Sequence, residues 1–155
     1  MRWTESIVID RPLPQVQAAI ADEHELMRWS AWPAATGYTC AVEGDGHSLG
    51  SAIVFTDPKG TEQGRQHLTL VQPGRVEYRL RNRGPGGREM TPEVDYRLDD
   101  LGGTATRVHL DFCATAPLPP GLRQLAETLL GRRVRALHVE DLRLLKQHVE
   151  ASARA

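Results

Sequence analysis

The 155-residue chain is poor in cysteine, in aromatic residues and in long apolar runs, and each shortage removes a class of protein. Its two cysteines, Cys40 and Cys113, make neither a disulfide framework nor a four-ligand zinc site, and no CxxC or HExxH spacing accompanies them. They read as reduced, small hydrophobes. No stretch approaches the ~18 apolar residues of a membrane span, and the opening MRWTESIVID interrupts its apolar residues too soon for a signal-peptide core. The expectation is a cytoplasmic protein without stable membrane insertion. Charge of one sign is missing too: 19 Lys+Arg stand against 20 Asp+Glu, so nothing global steers the chain to nucleic acid. With no internal repeat, low-complexity tract or linker, residues 1–155 read as one domain.

What is present is a clear change of periodicity along the chain. ESIVID is β-rich, and RPLPQVQAAIADEHELMRW after it puts Val16, Ala19 and Ile20 on one helical face. Asp22 is placed to cap a second short helix, with Glu25 three residues on, and Pro33 is expected to stop the helix that Trp29 and Trp32 end. Between residues 36 and 114 the pattern alternates and breaks at EGDGHSLG, TDPKG, QPGR, RNRGPGGRE and DDLGGT, which predicts six more strands joined by hairpins. Parity assigns Val76, Tyr78, Leu80, Val94, Tyr96, Leu98, Val108, Leu110 and Phe112 to a dry face, opposite a wet face of arginines and carboxylates.

From residue 119 or 120 to about 152 the spacing predicts one long helix, roughly 45 Å at 1.5 Å per residue. Leu122, Leu125, Leu129, Leu130, Val134, Leu137, Leu142, Leu145 and Val149 are taken as its inward stripe. Gly131 inside it costs about 1 kcal/mol relative to Ala, which suggests a bend or a close contact. Seven strands at ~4.8 Å span more than ~30 Å, whereas a helix is only about 10–12 Å wide. The dry face is therefore buried only if the sheet curls round the helix, and such a wrap leaves a gap at one end. That gap would be apolar with a few polar tips, the usual make-up of a small-molecule pocket.

The order of elements, with IVIDRPLPQVQAAIAD, the tryptophan pair before Pro33, GDGHSLG, QPGRVEYRL and GGTATRVHL, resembles the START-like (SRPBCC) superfamily. Within it the chain is most similar to the bacterial polyketide cyclase/dehydrase and lipid-transport group, over about residues 3 to 150. The resemblance implies an α+β helix-grip fold: a seven-stranded curved antiparallel sheet round a long C-terminal helix, with two short helices after the first strand. It also implies a deep hydrophobic cavity that different members use for lipids, hormones or polyketides. It does not imply one reaction.

Candidate ligand-binding residues follow. Trp29 and Trp32 would close the cavity mouth, or else form a satellite core cluster. Tyr78 and Tyr96 bring hydroxyls to the dry face of adjacent strands, where a buried O–H requires a partner, and Phe112 extends that wall. Leu129 belongs to the helix stripe, and Arg133, four residues later, would meet an acidic or carbonyl group. Arg132 and Arg135 read as a solvated face. The six histidines show no metal-ligand spacing, and an acid/base group of His138 with Glu140 and Asp141 is not expected, since i and i+2 on a helix point apart. EGDGHSLG lacks the spacing of a phosphate loop, and no GxSxG elbow occurs.

No metal or cofactor is expected from this reading, and catalytic residues are left unassigned. The leading expectation is a binder of a hydrophobic or aromatic small molecule. A cyclase or dehydratase using Tyr78, Tyr96 or Arg133 to polarise a carbonyl is one alternative, an interaction protein with a filled core another. Whether the chain forms a homodimer stays open.

Overall fold

The structure, a computed structural model, describes residues 1–152. Strand β1 (Arg2–Ile9) leads into three helices, α1 (Leu13–Ala21), α2 (Glu23–Trp29) and α3 (Trp32–Thr36). Pro14 sits in the first turn of α1, where a missing N–H costs nothing, and Val16, Ala19 and Ile20 are its buried face. Asp22 caps α2, its carboxylate accepting from the His24 and Glu25 amides. Pro33 does not terminate a helix: it occupies the first turn of α3, a third short helix that starts at Trp32. Pro is favoured early in a helix for the same reason it is excluded from the interior.

Seven further strands follow: β2 (Thr39–Glu43), β3 (Ala52–Thr56), β4 (Glu62–Gln72), β5 (Arg75–Arg83), β6 (Glu89–Met90), β7 (Glu93–Leu101) and β8 (Ala105–Cys113). They form one antiparallel sheet in the order β1-β8-β7-β5-β4-β3-β2, with β6 beside β5. The eighth strand lies inside the segment expected to be a plain turn, RNRGPGGRE, where Asn82 and Arg83 pair with Met90 and Glu89. Register shifts between Phe55 and Thr56 and between Leu68 and Leu70 fall on both partners of β4, and such bulges bend a sheet.

The dry face is buried as the alternation requires, with Val76, Tyr78, Val94, Tyr96, Leu98, Val108, Leu110 and Phe112 in the core. Helix α4 (Pro120–Ser152) packs across β1 and against α1 and α2, burying Val134, His138, Asp141, Leu142, Leu145 and Val149. Its start departs from expectation: Leu122, Leu125 and Leu129 are 62%, 61% and 62% exposed. At 100° per residue these three lie more than about 120° round the helix from Val134, so spacings of three and four ran together two different stripes. Leu130, one residue on, turns inward.

The EGDGHSLG segment is a hairpin loop that doubles as an anchor. The Glu23 amide donates to the Gly46 carbonyl at 2.7 Å, and the Ser51 hydroxyl donates to Glu23 Oε2 at 2.5 Å. Gly46 holds φ at +84°, and a Cβ there would stand 2.6 Å from the His24 ring. Only glycine meets both conditions.

Candidate ligand cavity

Because α4 covers one side of the sheet and α2–α3 only part of the rest, the interior is not filled. A cavity of about 450 Å³ remains. Leu26, Trp29 and Trp32 from the short helices, Phe55, Leu80, Val94 and Phe112 from the sheet, and Leu130, Val134 and Leu137 from α4 make its apolar walls. Gln63, Gln66 and Asn82 bring polar tips from β4 and β5, the half-buried Thr36 and Tyr38 add two more, and the exposed Arg83 and Arg133 line the space as well.

The candidate residues divide on placement. Trp29, Trp32, Tyr96, Phe112 and Arg133 all line this space. Trp29 is also structural, its indole donating to the Ala19 carbonyl at 3.0 Å within the core, while Trp32 is half-buried. Tyr78 lies outside the cavity, because its hydroxyl donates to the Ile20 carbonyl at 2.8 Å and so ties β5 to α1. Leu129 lies outside it on the exposed face of α4. Spacing alone does not say which side of a helix the sheet takes.

Two groups that spacing had set aside meet at the inner end. His138 and Asp141 are each 4% exposed and both line the cavity. They are three residues apart and so neighbours on the helix surface, whereas Glu140, two residues from His138, points away. Trp3 Nε1 donates to His138 Nδ1 at 3.1 Å, and its ring stacks on Phe112 at 4.4 Å. An indole nitrogen only donates, so the His138 proton sits on Nε2, which has no hydrogen-bond partner in the protein. Burial pushes His138 down to about 4, so the ring is neutral.

Asp141 accepts from the Ala31 amide at 2.7 Å and from the Ser30 hydroxyl at 3.2 Å, bonds that join α4 to the α2–α3 turn. Burial pushes its carboxyl up to about 7, and the donors at Ala31, Ser30 and Trp32 hold it from rising further. Tyr96 is buried beside it. Burial first, and then the charge of Asp141, raise the phenol above its ordinary value. The inner end thus offers an imidazole N–H, a phenol O–H and a carboxyl poised near neutrality. Among the described residues no three His, Cys, Asp or Glu side chains converge as a metal ligand set.

The model of the polyketide cyclase/dehydrase and lipid transport family matches residues 1–150. The chain belongs to that family. Two of its structural likenesses carry cyclase names. The chain is similar to the aromatase/cyclase Zhui from Streptomyces sp. R1128, with a TM-score of 0.75 and 15% identity over 100% of this chain and 96% of that one. The di-domain ARO/CYC BexL from the BE-7585A biosynthetic pathway gives a TM-score of 0.65 and 17% identity, over 97% of this chain and 46% of that one. Protein CV1439 from Chromobacterium violaceum gives 0.67 and 17%, over 96% of each chain. No curated protein sequence matches the chain. For this member of the polyketide cyclase/dehydrase family, the family match supports a ligand-binding or cyclase role, and the solved structures, at 15–17% identity, show the shared fold.

Proposed function

We propose that this protein binds a hydrophobic or aromatic small molecule, lipid or polyketide-like, inside the cavity, and that it does so in the cytoplasm. The observation carrying this reading is the open apolar space of about 450 Å³ with an unpartnered His138 N–H at its inner end. Apolar burial would supply affinity at about 25 cal/mol per Å², and the polar groups would fix orientation. An interaction protein with a filled core is disfavoured by the same space. The test is a thermal-shift panel of fatty acids and aromatic polyketides. A ligand at 100 times its Kd adds about 2.7 kcal/mol, which for a domain of this size raises Tm by roughly 5–10 °C. A flat response across the panel overturns the reading.

A second reading, a cyclase or dehydratase, is favoured by the meeting of His138, Tyr96 and Asp141 at one end of the cavity. Asp141 as carboxylate would take an α-proton from a poly-carbonyl chain. The His138 N–H and Tyr96 O–H would stabilise the oxygen of the resulting enolate, whose carbon adds to a second carbonyl of the same chain. Asp141 would return that proton to the alkoxide formed on the second carbonyl, then take the remaining α-proton and deliver it to the new hydroxyl as the C–O bond breaks, so the balance is ring closure with loss of one water. The walls supply the fold of the chain. Asp141→Asn should then retain product binding while turnover of a poly-β-keto thioester falls at least 100-fold; unchanged turnover leaves binding alone.

A further inference from the structure

Arg83 on β5 and Arg133 on α4 both line the cavity and both are exposed, one from the sheet and one from the helix. Neighbouring arginines are neutralised: Arg65 pairs with Glu43 and Glu62, and Arg81 with Glu89. Among the described residues Arg83 and Arg133 form neither an ion pair nor a hydrogen bond through their guanidinium groups. The carboxylates around Arg83 are committed elsewhere: Glu62, which feels its charge, pairs with Arg65 at 2.6 and 3.0 Å, and Glu89, opposite it on β6, pairs with Arg81 at 2.8 Å.

The inner end has the opposite character. It holds Asp141, buried and shut off from solvent, with the neutral donors of His138 and Tyr96. An anionic group placed there would meet a carboxyl that already resists ionisation for want of solvent. A neutral acceptor such as a carbonyl or hydroxyl oxygen meets donors instead. Two planar guanidiniums, by contrast, match a carboxylate or phosphate in geometry as well as charge.

Resting on the cavity-binding reading above, we infer that the ligand is an amphipathic anion, held with its acidic group between Arg83 and Arg133 and its apolar body inward. The cavity thus has an electrical polarity that selects both the ligand class and its direction of entry. One acidic group suffices, whether it is the carboxylate of a free acid or the phosphate of a lipid.

Three probes of one chain length test this at pH 8 by quenching of tryptophan fluorescence: decanoate, decyl phosphate and 1-decanol. Both anions should bind at least tenfold more tightly than the alcohol. The double variant Arg83→Gln, Arg133→Gln should bring the anions to the affinity of decanol while decanol itself is unmoved. Arg107→Gln, an exposed change of charge on the outer face of β8, should keep the preference. A preference for only one anion identifies the head group and upholds the inference. Equal binding of decanol and both anions, or a preference that survives the double variant, overturns the anion site and leaves cavity binding standing. Failure of all three probes to bind overturns both.

Discussion

The indole of Trp3 on the first strand donates to His138 Nδ1 on the last helix, at 3.1 Å across 135 residues of sequence. One hydrogen bond settles which nitrogen of the imidazole faces the cavity with a proton. At pH 7 the ¹⁵N shifts of His138 should report the Nε2–H tautomer alone, and Trp3→Phe should relax it to a mixture. An Nδ1–H tautomer in the unmodified protein would contradict the assignment.

Asp141 gives the fold a pH dependence of definite sign. Its folded value lies near 7 against an ordinary 3.8, so protonation favours the folded state and stability is lost as pH rises from about 4 to 7. A change of that size corresponds to roughly 4 kcal/mol at most. Asp141→Asn should therefore raise Tm at pH 8 and leave it nearly unchanged at pH 4, as followed by calorimetry. His138 works in the other direction: its depressed value means stability is intact above 6.5 and lost as pH falls toward 4.

The two core tyrosines should separate. Tyr78→Phe removes a bond to the Ile20 carbonyl and should cost about 1 kcal/mol of stability while ligand affinity is unaltered. Tyr96→Phe, inside the cavity, should leave stability nearly unchanged and weaken a ligand that carries an inner oxygen. Titration of both variants with one bound probe decides it; equal effects on affinity would contradict the placement.

Gly131 is buried against the first strand, yet a Cβ built on it would lie 3.6 Å from Trp3 and 3.7 Å from Met1, ordinary contact distances. Gly131→Ala should therefore stabilise the protein by about 1 kcal/mol in urea unfolding, through helix propensity and reduced freedom of the unfolded chain. A loss of stability would show that the helix cannot accept the methyl group.

Glu23 is 0% exposed, and its Oε1 has no partner. The Ser51 hydroxyl is what bonds the other oxygen, and burial raises the carboxyl above its ordinary range while that bond opposes the rise. Ser51→Ala should cost about 1–3 kcal/mol, more at pH 8 than at pH 4, because the ionised form loses the donor. A loss independent of pH would assign Ser51 to packing alone.

Much of the architecture was legible in short intervals. Alternation at two residues assigned Val94, Tyr96, Val108 and Phe112 to the core, because a strand in a half-wet sheet has one buried side. Glycine or proline clusters marked the five long turns of the sheet, while the two-residue strand at Glu89, too short to have a period, and the third helix at Trp32 escaped. The site was less legible. Leu129 and Arg133 share a spacing but not a face of contact, and His138 and Asp141 came into view only at the interval of three.

The sequence by itself determined the elements, their order and the excess of sheet over helix, since these depend on periodicity, turn residues and the fixed widths of strand and helix. Tertiary structure alone decided which groups meet. The direction in which α4 lies across the sheet sets Asp141 at the Ala31 amide and His138 under Trp3, and it sends Leu122, Leu125 and Leu129 to solvent. Such pairings join residues more than 100 positions apart. No local interval carries them, because they arise from packing one finished element against another.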